Sequence, residues 1–214
     1  LSGNLCRCTG YAPILAAARR MYDLPPPGDW RGPGATADGG PATNDAERAI
    51  AARLQALRRH GTFEYAAAGG RWIAPADADG FAAARAAHPE ATIVAGATDV
   101  ALAVTKAHRD LGTILYAGAA SDLARVERAA DGLAIGAAAT LADAFAALDA
   151  EFPELREAWQ RFASPPIRDG GTLGGNVANG SPIGDSMPVL IALGATVELR
   201  RGDRLRSLPL EDFY

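Results

Sequence analysis

The residues between Thr172 and Asp185 have the composition of a ligand-binding loop. Glycines and a proline interrupt the segment TLGGNVANGSPIGD, which predicts that it is neither an ordinary helix nor a central strand. Small residues let a backbone approach a ligand closely and direct its amides at it. Asn176 and Asn179 add side-chain donors and acceptors. We therefore interpret the segment as a nucleotide-binding loop that leads into a buried helix over 187–193.

A second candidate loop lies upstream, in the sequence IVAGATDV of residues 93–100. A short apolar strand runs to Ala95, Gly96 interrupts it, and Thr98 or Asp99 can cap the helix that follows. A strand, a glycine turn and a helix N-terminus together form an anion site. The segment lacks both G-x-G-x-x-G and G-x-x-x-x-G-K-[ST], so neither the dinucleotide (Rossmann) fingerprint nor the P-loop fits.

The two loops together resemble one family. IVAGATDV followed by TLGGNVANGSPIGD is similar to the flavin domain of the molybdenum hydroxylases, which include xanthine dehydrogenase, aldehyde oxidase and carbon monoxide dehydrogenase. The segment GNLCRCTGY, residues 3–11, resembles the second half of the family's helical [2Fe–2S] domain. An iron–sulfur segment followed on one chain by a flavin domain resembles the bacterial xanthine dehydrogenases. The resemblance covers most of residues 1–22 and 60–214.

The resemblance implies a fold class and a domain order. The fold class is α+β or α/β, a two-subdomain FAD-binding domain of the carbon monoxide dehydrogenase flavoprotein type after a helical remnant of the [2Fe–2S] domain. We expect four segments: the end of that helical domain at 1–23, a Pro/Gly-rich linker at 24–43, a linking helix at 44–60 and the FAD-binding domain at 61–214. Because Leu1 already lies inside a motif and Tyr214 follows soon after a strand, we expect a fragment whose flavin domain is incomplete at its C-terminus.

The resemblance also implies a FAD site. The backbone of the upstream loop wraps the pyrophosphate, the glycine loop meets it from the other side, Asp185 binds the nucleotide portion and Phe162 packs on the cofactor. For Phe162 the alternative is a core residue beside Leu155 and Ala158, and for Gly174–Gly175 it is a plain tight turn. The residues assigned to FAD are Ile93, Val94, Ala95, Gly96, Ala97, Thr98, Asp99, Val100, Phe162, Thr172, Leu173, Gly174, Gly175, Asn176 and Asp185.

Cys6 and Cys8 are the two cysteines of the chain. A C-x-C pair is too tight for a comfortable disulfide with itself, which leaves structural thiols or metal ligands. The resemblance implies that both bind iron in a [2Fe–2S] cluster. Such a cluster with all-cysteine ligation needs four thiolates, and in the family an upstream C-x-x-C supplies the other pair. We therefore expect that this chain alone cannot hold the cluster.

Composition restricts the partners. The chain has 214 residues, 49% of them apolar, and a formal net charge of −4 without a basic run, which argues against nucleic-acid binding. It shows no apolar stretch of membrane-spanning length and no signal-peptide pattern, so we expect no membrane partner and a cytoplasmic location. His60, His88 and His108 have no carboxylate or cysteine partner at metal-ligand spacing, and we interpret them as solvated.

Hydrophobic periodicity and caps predict alternating strands and helices. Asp77 or Asp79 should cap one helix and Thr140 another, and Pro165-Pro166 should stop a third. The predicted strands cover 71–73, 91–95, 112–116, 133–135 and 196–199. The predicted helices cover 12–21, 44–60, 77–87, 99–107, 141–148, 154–162 and 187–193.

The function implied by the resemblance is electron transfer in a molybdenum hydroxylase. A purine is hydroxylated at a molybdopterin centre on a partner large subunit, electrons pass through [2Fe–2S] clusters to FAD, and NAD⁺ accepts them. This chain needs no catalytic acid or base, and a hetero-oligomer is expected. Two alternatives stay open: a flavin subunit of an aldehyde, carbon monoxide or aromatic acyl-CoA enzyme, and a truncated scaffold fragment without catalysis.

Overall fold

The structure, a computed structural model, describes residues 10–25, 34–35, 41–42, 45–58, 60–67, 69–130 and 132–214. Contacts divide the chain into two compact units, one that ends at position 59 and one that comprises His60–Tyr214. Cys6, Cys8, most of the predicted linker and Asn44, the first residue of the predicted linking helix, lie outside the described residues. The four predicted domain segments stay a prediction.

The first unit contains two helices that the sequence predicted. Its elements are α1 (Tyr11–Arg20), β1 (Gly34–Ala35), β2 (Pro41–Ala42) and α2 (Asp45–Ala56), and β1 pairs antiparallel with β2. Helix α1 carries Pro13 in its first turn, where the missing N–H leaves no bond unmade. Arg19 and Arg20 lie in its last turn, where cations interact favourably with the helix dipole. Helix α2 ends earlier than predicted, at Ala56.

The second unit begins with a sheet in the strand order β3–β4–β6–β5. The elements of this part are β3 (Phe63–Ala67), β4 (Gly70–Ala74), α3 (Ala78–Ala87), β5 (Thr92–Val94), α4 (Val100–Thr105) and β6 (Thr113–Tyr116). Strands β4 and β5 run parallel to β6, and β3 is antiparallel to β4. Helix α3 packs Phe81 and Ala84 against a core of Ile73, Ala91 and Leu115. Because β4, β5 and β6 run parallel, the loop that follows β5 lies at the edge of the sheet where these three strands end.

The rest of the second unit surrounds a larger core. Its elements are β7 (Val126–Ala129), β8 (Gly132–Ile135), α5 (Leu141–Glu151), α6 (Arg156–Arg161), α7 (Pro165–Gly170), α8 (Leu173–Asn179), α9 (Ser186–Ala192), β9 (Thr196–Arg201) and β10 (Arg204–Pro209). Strands β7 and β8 form one antiparallel hairpin, and β9 and β10 form another. The core contains Phe145 of α5, Trp159 of α6, Leu173 of α8 and Leu190 of α9.

Two predicted helix caps are confirmed, and two details of the neighbouring elements differ. The Asp77 carboxylate accepts from Gly80 N–H at 2.7 Å, and the Thr140 hydroxyl accepts from Asp143 N–H at 3.0 Å. Asp99 precedes α4, but its side chain makes no capping hydrogen bond. Pro165 does not stop a helix. It begins α7, because proline at the first helical position loses no hydrogen bond.

The prediction that Thr172–Asp185 contains no ordinary helix is wrong over its first half. Residues Leu173–Asn179 form α8, which Thr172 caps by accepting from Gly175 N–H at 3.1 Å. The glycines lie in the first turn, where intrahelical N–H bonds are not required and the loss of helix propensity is tolerated. Gly180 ends the helix in the left-handed conformation, with φ 57°.

No helix in the described part of the chain is long and apolar enough to span a bilayer. Among the same residues, His, Cys, Asp and Glu side chains form no group of three or more that could hold a metal ion. His88 does have a carboxylate neighbour, since its Nδ1 lies 3.4 Å from Glu90 Oε1.

Candidate functional site

A cleft of about 1290 Å³ brings together the two loops singled out in the sequence. Its walls come from α3, the loop after β5, the turn between α6 and α7, the start of α8, the loop before α9 and the end of β9. Pockets for drug-sized ligands typically measure about 300–1,000 Å³. The cleft is therefore large enough for an extended ligand.

Most residues assigned to FAD from the sequence line this cleft. Two of them do not: Val94 and Leu173 are only 5% and 6% exposed and belong to the protein interior. Cys6 and Cys8 lie outside the described residues. The assigned residues that line the cleft are Ile93, Ala95, Gly96, Ala97, Thr98, Asp99, Val100, Phe162, Thr172, Gly174, Gly175, Asn176 and Asp185.

The loop after β5 lies directly against the segment that precedes α8. A β-carbon built on Gly96 would fall 1.9 Å from the Gly170 carbonyl oxygen and 2.7 Å from Gly171 Cα. Both neighbours are backbone atoms, which cannot rotate away as a side chain could. Glycine at position 96 is therefore required for the two segments to form one continuous floor of the cleft.

Helices α5 and α8 begin side by side. Leu141 N–H donates to Gly171 O at 2.9 Å, and Leu173 N–H donates to Ala139 O at 3.0 Å, so that Thr140 and Thr172 form an isolated antiparallel bridge. These bonds fix where α8 starts relative to the larger core. The close approach continues at the next residue of the helix. A β-carbon on Gly174 would lie 2.5 Å from the Ala137 Cα atom.

Several polar side chains on this floor are oriented by hydrogen bonds within the protein and retain a further hydrogen-bonding group for a ligand. The Thr172 oxygen accepts from Gly175 N–H, which leaves its hydroxyl proton to donate. The Ser186 hydroxyl, fully buried, donates to Asn176 Oδ1. Among the described residues, the NH₂ end of the Asn176 amide has no partner and can donate to a ligand. Asp185 is exposed and forms no hydrogen bond or ion pair with other described residues.

Phe162 combines the two roles that the sequence left open. It lines the cleft, and it also packs edge-on against Phe145 at a centroid distance of 4.9 Å. Phe145 in turn stacks on Trp159 at 4.5 Å with an interplanar angle of 13°. Edge-to-face and offset-stacked rings are favourable arrangements. The row of three rings therefore anchors one wall of the cleft in the core.

Two alanines that line the cleft have left-handed backbone conformations. Ala97 has φ 60° and Ala163 has φ 49°. The left-handed region costs roughly 1–2 kcal/mol for a residue with a β-carbon, and such strain accumulates at functional sites. The segment with Ala163 is held by Arg168, whose Nη1 donates to Phe162 O at 2.7 Å and to Ala163 O at 3.0 Å.

Two arginines of the cleft wall are engaged within the protein. Arg200 Nη1 lies 2.6 Å from Asp79 Oδ1, and Arg85 donates to Ala91 O at 3.0 Å. The floor itself offers amides and hydroxyls in place of cations. At the far end of α8, the Tyr214 hydroxyl donates to Val177 O at 2.7 Å, and burial raises the pKa of this phenol above its ordinary value.

Residues 63–214 match the family described as the FAD binding domain in molybdopterin dehydrogenase. This chain belongs to that family. The family is one of oxidoreductases, and the FAD-binding domain accounts for most of the chain. The predicted flavoprotein class and its FAD cofactor are confirmed at this level.

Two relatives show how much of a larger enzyme this FAD-binding domain represents. Xanthine dehydrogenase of Drosophila subobscura is 29% identical over 232 aligned positions, which cover 92% of this chain and 17% of the relative. Aldehyde oxidase 2 of Macaca fascicularis is 29% identical over 256 positions, which cover 100% of this chain and 19% of the relative. The chain thus spans less than a fifth of the length of either relative.

Solved structures confirm the fold class. A Cu,Mo-CO dehydrogenase in its cyanide-inactivated form shares 26% identity with a TM-score of 0.61, over 66% of this chain and 50% of that one. A carbon monoxide dehydrogenase from Hydrogenophaga pseudoflava that lacks the Mo-pyranopterin moiety has the same fold, with a TM-score of 0.62 at 22% identity. The mixed α/β FAD-binding domain of the molybdenum hydroxylases, as predicted, is the fold of this chain.

The sequence missed several residues that shape the cleft. Arg168 and Ser186 form hydrogen bonds to groups that line the cleft, and the sequence around them does not indicate these bonds. Arg85 of α3 and Arg201 of β9 reach the cleft because distant segments fold onto it. A recognisable signal existed only for Gly170 and Gly171, since a glycine pair two residues before another glycine pair indicates close backbone packing.

Proposed function

We propose that this chain is the electron-transfer flavin part of a molybdenum hydroxylase that oxidises xanthine or hypoxanthine. A partner large subunit carrying molybdopterin hydroxylates the purine. This chain receives the electrons by way of [2Fe–2S] clusters and delivers them to NAD⁺. FAD, when bound, supplies the redox chemistry of this transfer, and the protein supplies binding, orientation and electrostatics.

The observation that carries the proposal is the glycine floor of the cleft. A β-carbon on Gly96 would meet the backbone of Gly170 and Gly171, and one on Gly174 would meet that of Ala137, so the loop after β5 and the start of α8 are both packed tightly on neighbouring backbone where they line the cleft. A pyrophosphate needs hydrogen-bond donors from all sides and little bulk. That requirement is matched by amides of this floor, the hydroxyls of Thr98 and Thr172 and the NH₂ group of Asn176.

Two further residues match other parts of FAD. Asp185 is exposed on the cleft wall and has no partner in the part of the chain that the structure describes. A carboxylate accepts hydrogen bonds from a ribose hydroxyl or an adenine amine and repels phosphate. Phe162 presents a ring that Phe145 supports from behind, which suits packing against a flat cofactor. The residues present therefore fit FAD.

The iron–sulfur part of the proposal rests on Cys6 and Cys8. Thiolates are the usual ligands of [2Fe–2S] clusters, and four are needed when all ligands are cysteines. Two further cysteines must come from outside the sequence of 214 residues. Removing Cys6 in the complete enzyme, as Cys6→Ala, should abolish one [2Fe–2S] signal in its EPR spectrum, and an unchanged spectrum would contradict the assignment.

A second candidate function is electron transfer in an aldehyde-oxidising enzyme. The aldehyde oxidase relative matches this chain with the same identity as the xanthine dehydrogenase relative. The two candidates share the flavin domain and differ in the partner subunit that selects the substrate. The predicted cytoplasmic location is common to both and stays a prediction.

The test is the visible absorption spectrum of the complete enzyme under argon. Bleaching of flavin and iron–sulfur bands by xanthine, followed by recovery on addition of NAD⁺, is the expected result. If xanthine leaves the bands unchanged and an aldehyde bleaches them, the second candidate function is the correct one. A spectrum without flavin bands would overturn both candidates and favour the scaffold alternative.

The residue assignment has its own test in Asp185→Asn. Loss of the charged acceptor should weaken FAD binding by about tenfold, because hydrogen bonds to charged groups are worth roughly 1.5–3 kcal/mol. Asp203→Asn is the matched control, since Asp203 is exposed in the β9–β10 turn and does not line the cleft. Equal dissociation constants for the two variants would contradict the role of Asp185.

A further inference from the structure

The guanidinium of Arg168 binds two main-chain carbonyls at the edge of the cleft. Its Nη1 donates to Phe162 O at 2.7 Å and to Ala163 O at 3.0 Å. In the part of the chain that the structure describes, Arg168 forms no ion pair with an acidic side chain. The positive charge of Arg168 therefore acts on these two carbonyls. A hydrogen bond from a charged donor is stronger than one from a neutral donor.

These two carbonyls belong to the segment that needs support. Phe162 is the C-cap of α6, so its carbonyl has no partner within the helix. Ala163, the next residue, has φ 49°, a conformation that a residue with a β-carbon avoids. Without an external constraint this turn would relax, and the Phe162 ring would change its direction.

The same segment faces the cofactor space. Phe162 and Ala163 both line the cleft, whereas Arg168 does not. Helix α7, which carries Arg168, runs from this turn to Gly170 and Gly171, against which Gly96 packs. Arg168 thus links the aromatic wall to the helix that leads into the glycine floor.

We propose that Arg168 is a positioning residue for FAD: it fixes the strained Phe162–Ala163 turn and so holds the Phe162 ring against the cofactor. The inference rests on the proposed FAD site. Lysine at this position keeps the charge but is a point donor without the guanidinium fork, so it should preserve the role only in part.

The experiment uses the complete enzyme stripped of FAD and titrated with FAD. Arg168→Gln should raise the FAD dissociation constant about tenfold, since it removes charge-assisted bonds, and should change the visible circular dichroism of the bound flavin. Arg168→Lys should fall between this variant and the wild type. Arg156→Gln is the matched control, because Arg156 is an exposed arginine of α6 that pairs with Asp149 and does not line the cleft.

A double-mutant cycle with Phe162→Leu separates positioning from general stability. If Arg168 acts through the Phe162 ring, Arg168→Gln should add little to the loss caused by Phe162→Leu. Full additivity of the two effects, or a wild-type dissociation constant and dichroism in Arg168→Gln, would overturn the inference. Should Arg168→Gln fail to fold, the same cycle with Arg168→Lys decides. A wild-type enzyme that binds no FAD would instead overturn the proposed function.

Discussion

Thr140 and Thr172 face each other across an isolated antiparallel bridge, and each caps the helix that it precedes. The Thr140 hydroxyl accepts from Asp143 N–H at 3.0 Å, and the Thr172 hydroxyl accepts from Gly175 N–H at 3.1 Å. The two residues make the same N-cap bond, and the Thr140 hydroxyl in addition donates to Asp143 Oδ2 at 2.7 Å. Only Thr172 lines the cleft, so the pair separates a structural role from a ligand-binding role.

We expect Thr172→Val and Thr140→Val to lower the free energy of unfolding by similar amounts, about 1 kcal/mol each, because valine cannot cap a helix. FAD affinity should fall in Thr172→Val alone, since Thr172 lines the cleft and the cap bond does not use its hydroxyl proton. Urea unfolding and FAD titration check the two quantities. Equal loss of FAD affinity in both variants would show that the caps act on the site only through stability.

A β-carbon at position 96 should disrupt both folding and FAD binding. Gly96→Ala would place its methyl group 1.9 Å from the Gly170 carbonyl oxygen, so one of the two segments must move. We expect a loss of about 1–3 kcal/mol in stability, as for other overpacked sites, and a loss of FAD binding. Gly61→Ala is the control, because a β-carbon there meets no atom within 4 Å. Unchanged FAD affinity in Gly96→Ala would refute the role of the contact.

Local signals in the sequence predicted the elements that local interactions determine. Asp77 and Thr140 cap their helices because a short polar side chain satisfies an N–H three residues later, whatever the rest of the fold does. Helix α8 was predicted wrongly because two glycines in seven residues weaken a helix by about 1 kcal/mol each. The Thr172 cap and the bond from Leu173 N–H to Ala139 O offset this cost, and the second of them exists only in the folded protein.

The candidate site shows the same division. The two loops were singled out from their residues, and their resemblance to one family indicated that they form one site. The roles of Ser186 and Arg168 could not be predicted from the sequence, since each residue acts by a hydrogen bond to a group that lines the cleft only in the folded protein. Strands β3 and β7 were also missed, because FEYAA and VERA are short and mostly exposed and carry little hydrophobic alternation.

Ser186→Ala tests whether the orientation of the Asn176 amide matters for FAD. The substitution leaves Asn176 Oδ1 without its buried donor, which should cost about 0.5–1.5 kcal/mol of stability. FAD affinity should fall several-fold because the NH₂ end is no longer fixed. Ser207→Ala, an exposed position on β10, should leave both quantities unchanged. Isothermal titration with FAD and thermal unfolding supply the comparison, and full FAD affinity in Ser186→Ala would contradict it.

Tyr214 predicts a pH dependence of stability at the alkaline end. Burial raises the pKa of its phenol above the ordinary value of about 10, so the folded state retains the proton more tightly than the unfolded state. The stability contributed by the hydroxyl is complete below about pH 10 and is lost as the pH rises through the raised pKa. Tyr214→Phe removes this component.

The measurement is the difference in free energy of unfolding between wild type and Tyr214→Phe from pH 8 to pH 11. It should be constant at the lower values and shrink at the upper ones, because titrations common to both proteins cancel. A difference that stays constant throughout would show that the hydrogen bond to Val177 is not sensitive to this titration.

The geometry of α7 restricts the number of residues that can connect Phe162 with Gly171. Between the Phe162 wall and the Gly171 floor the chain contains little besides its six residues, Pro165–Gly170. Each residue of an α-helix adds about 100° of rotation, so one inserted residue would turn Arg168 away from the Phe162 carbonyl or Gly170 away from Gly96. Homologous enzymes should therefore exchange side chains freely on the outer surface of α7 and keep its length constant. Insertions should accumulate instead at the β9–β10 turn, where Gly202 is followed by exposed residues.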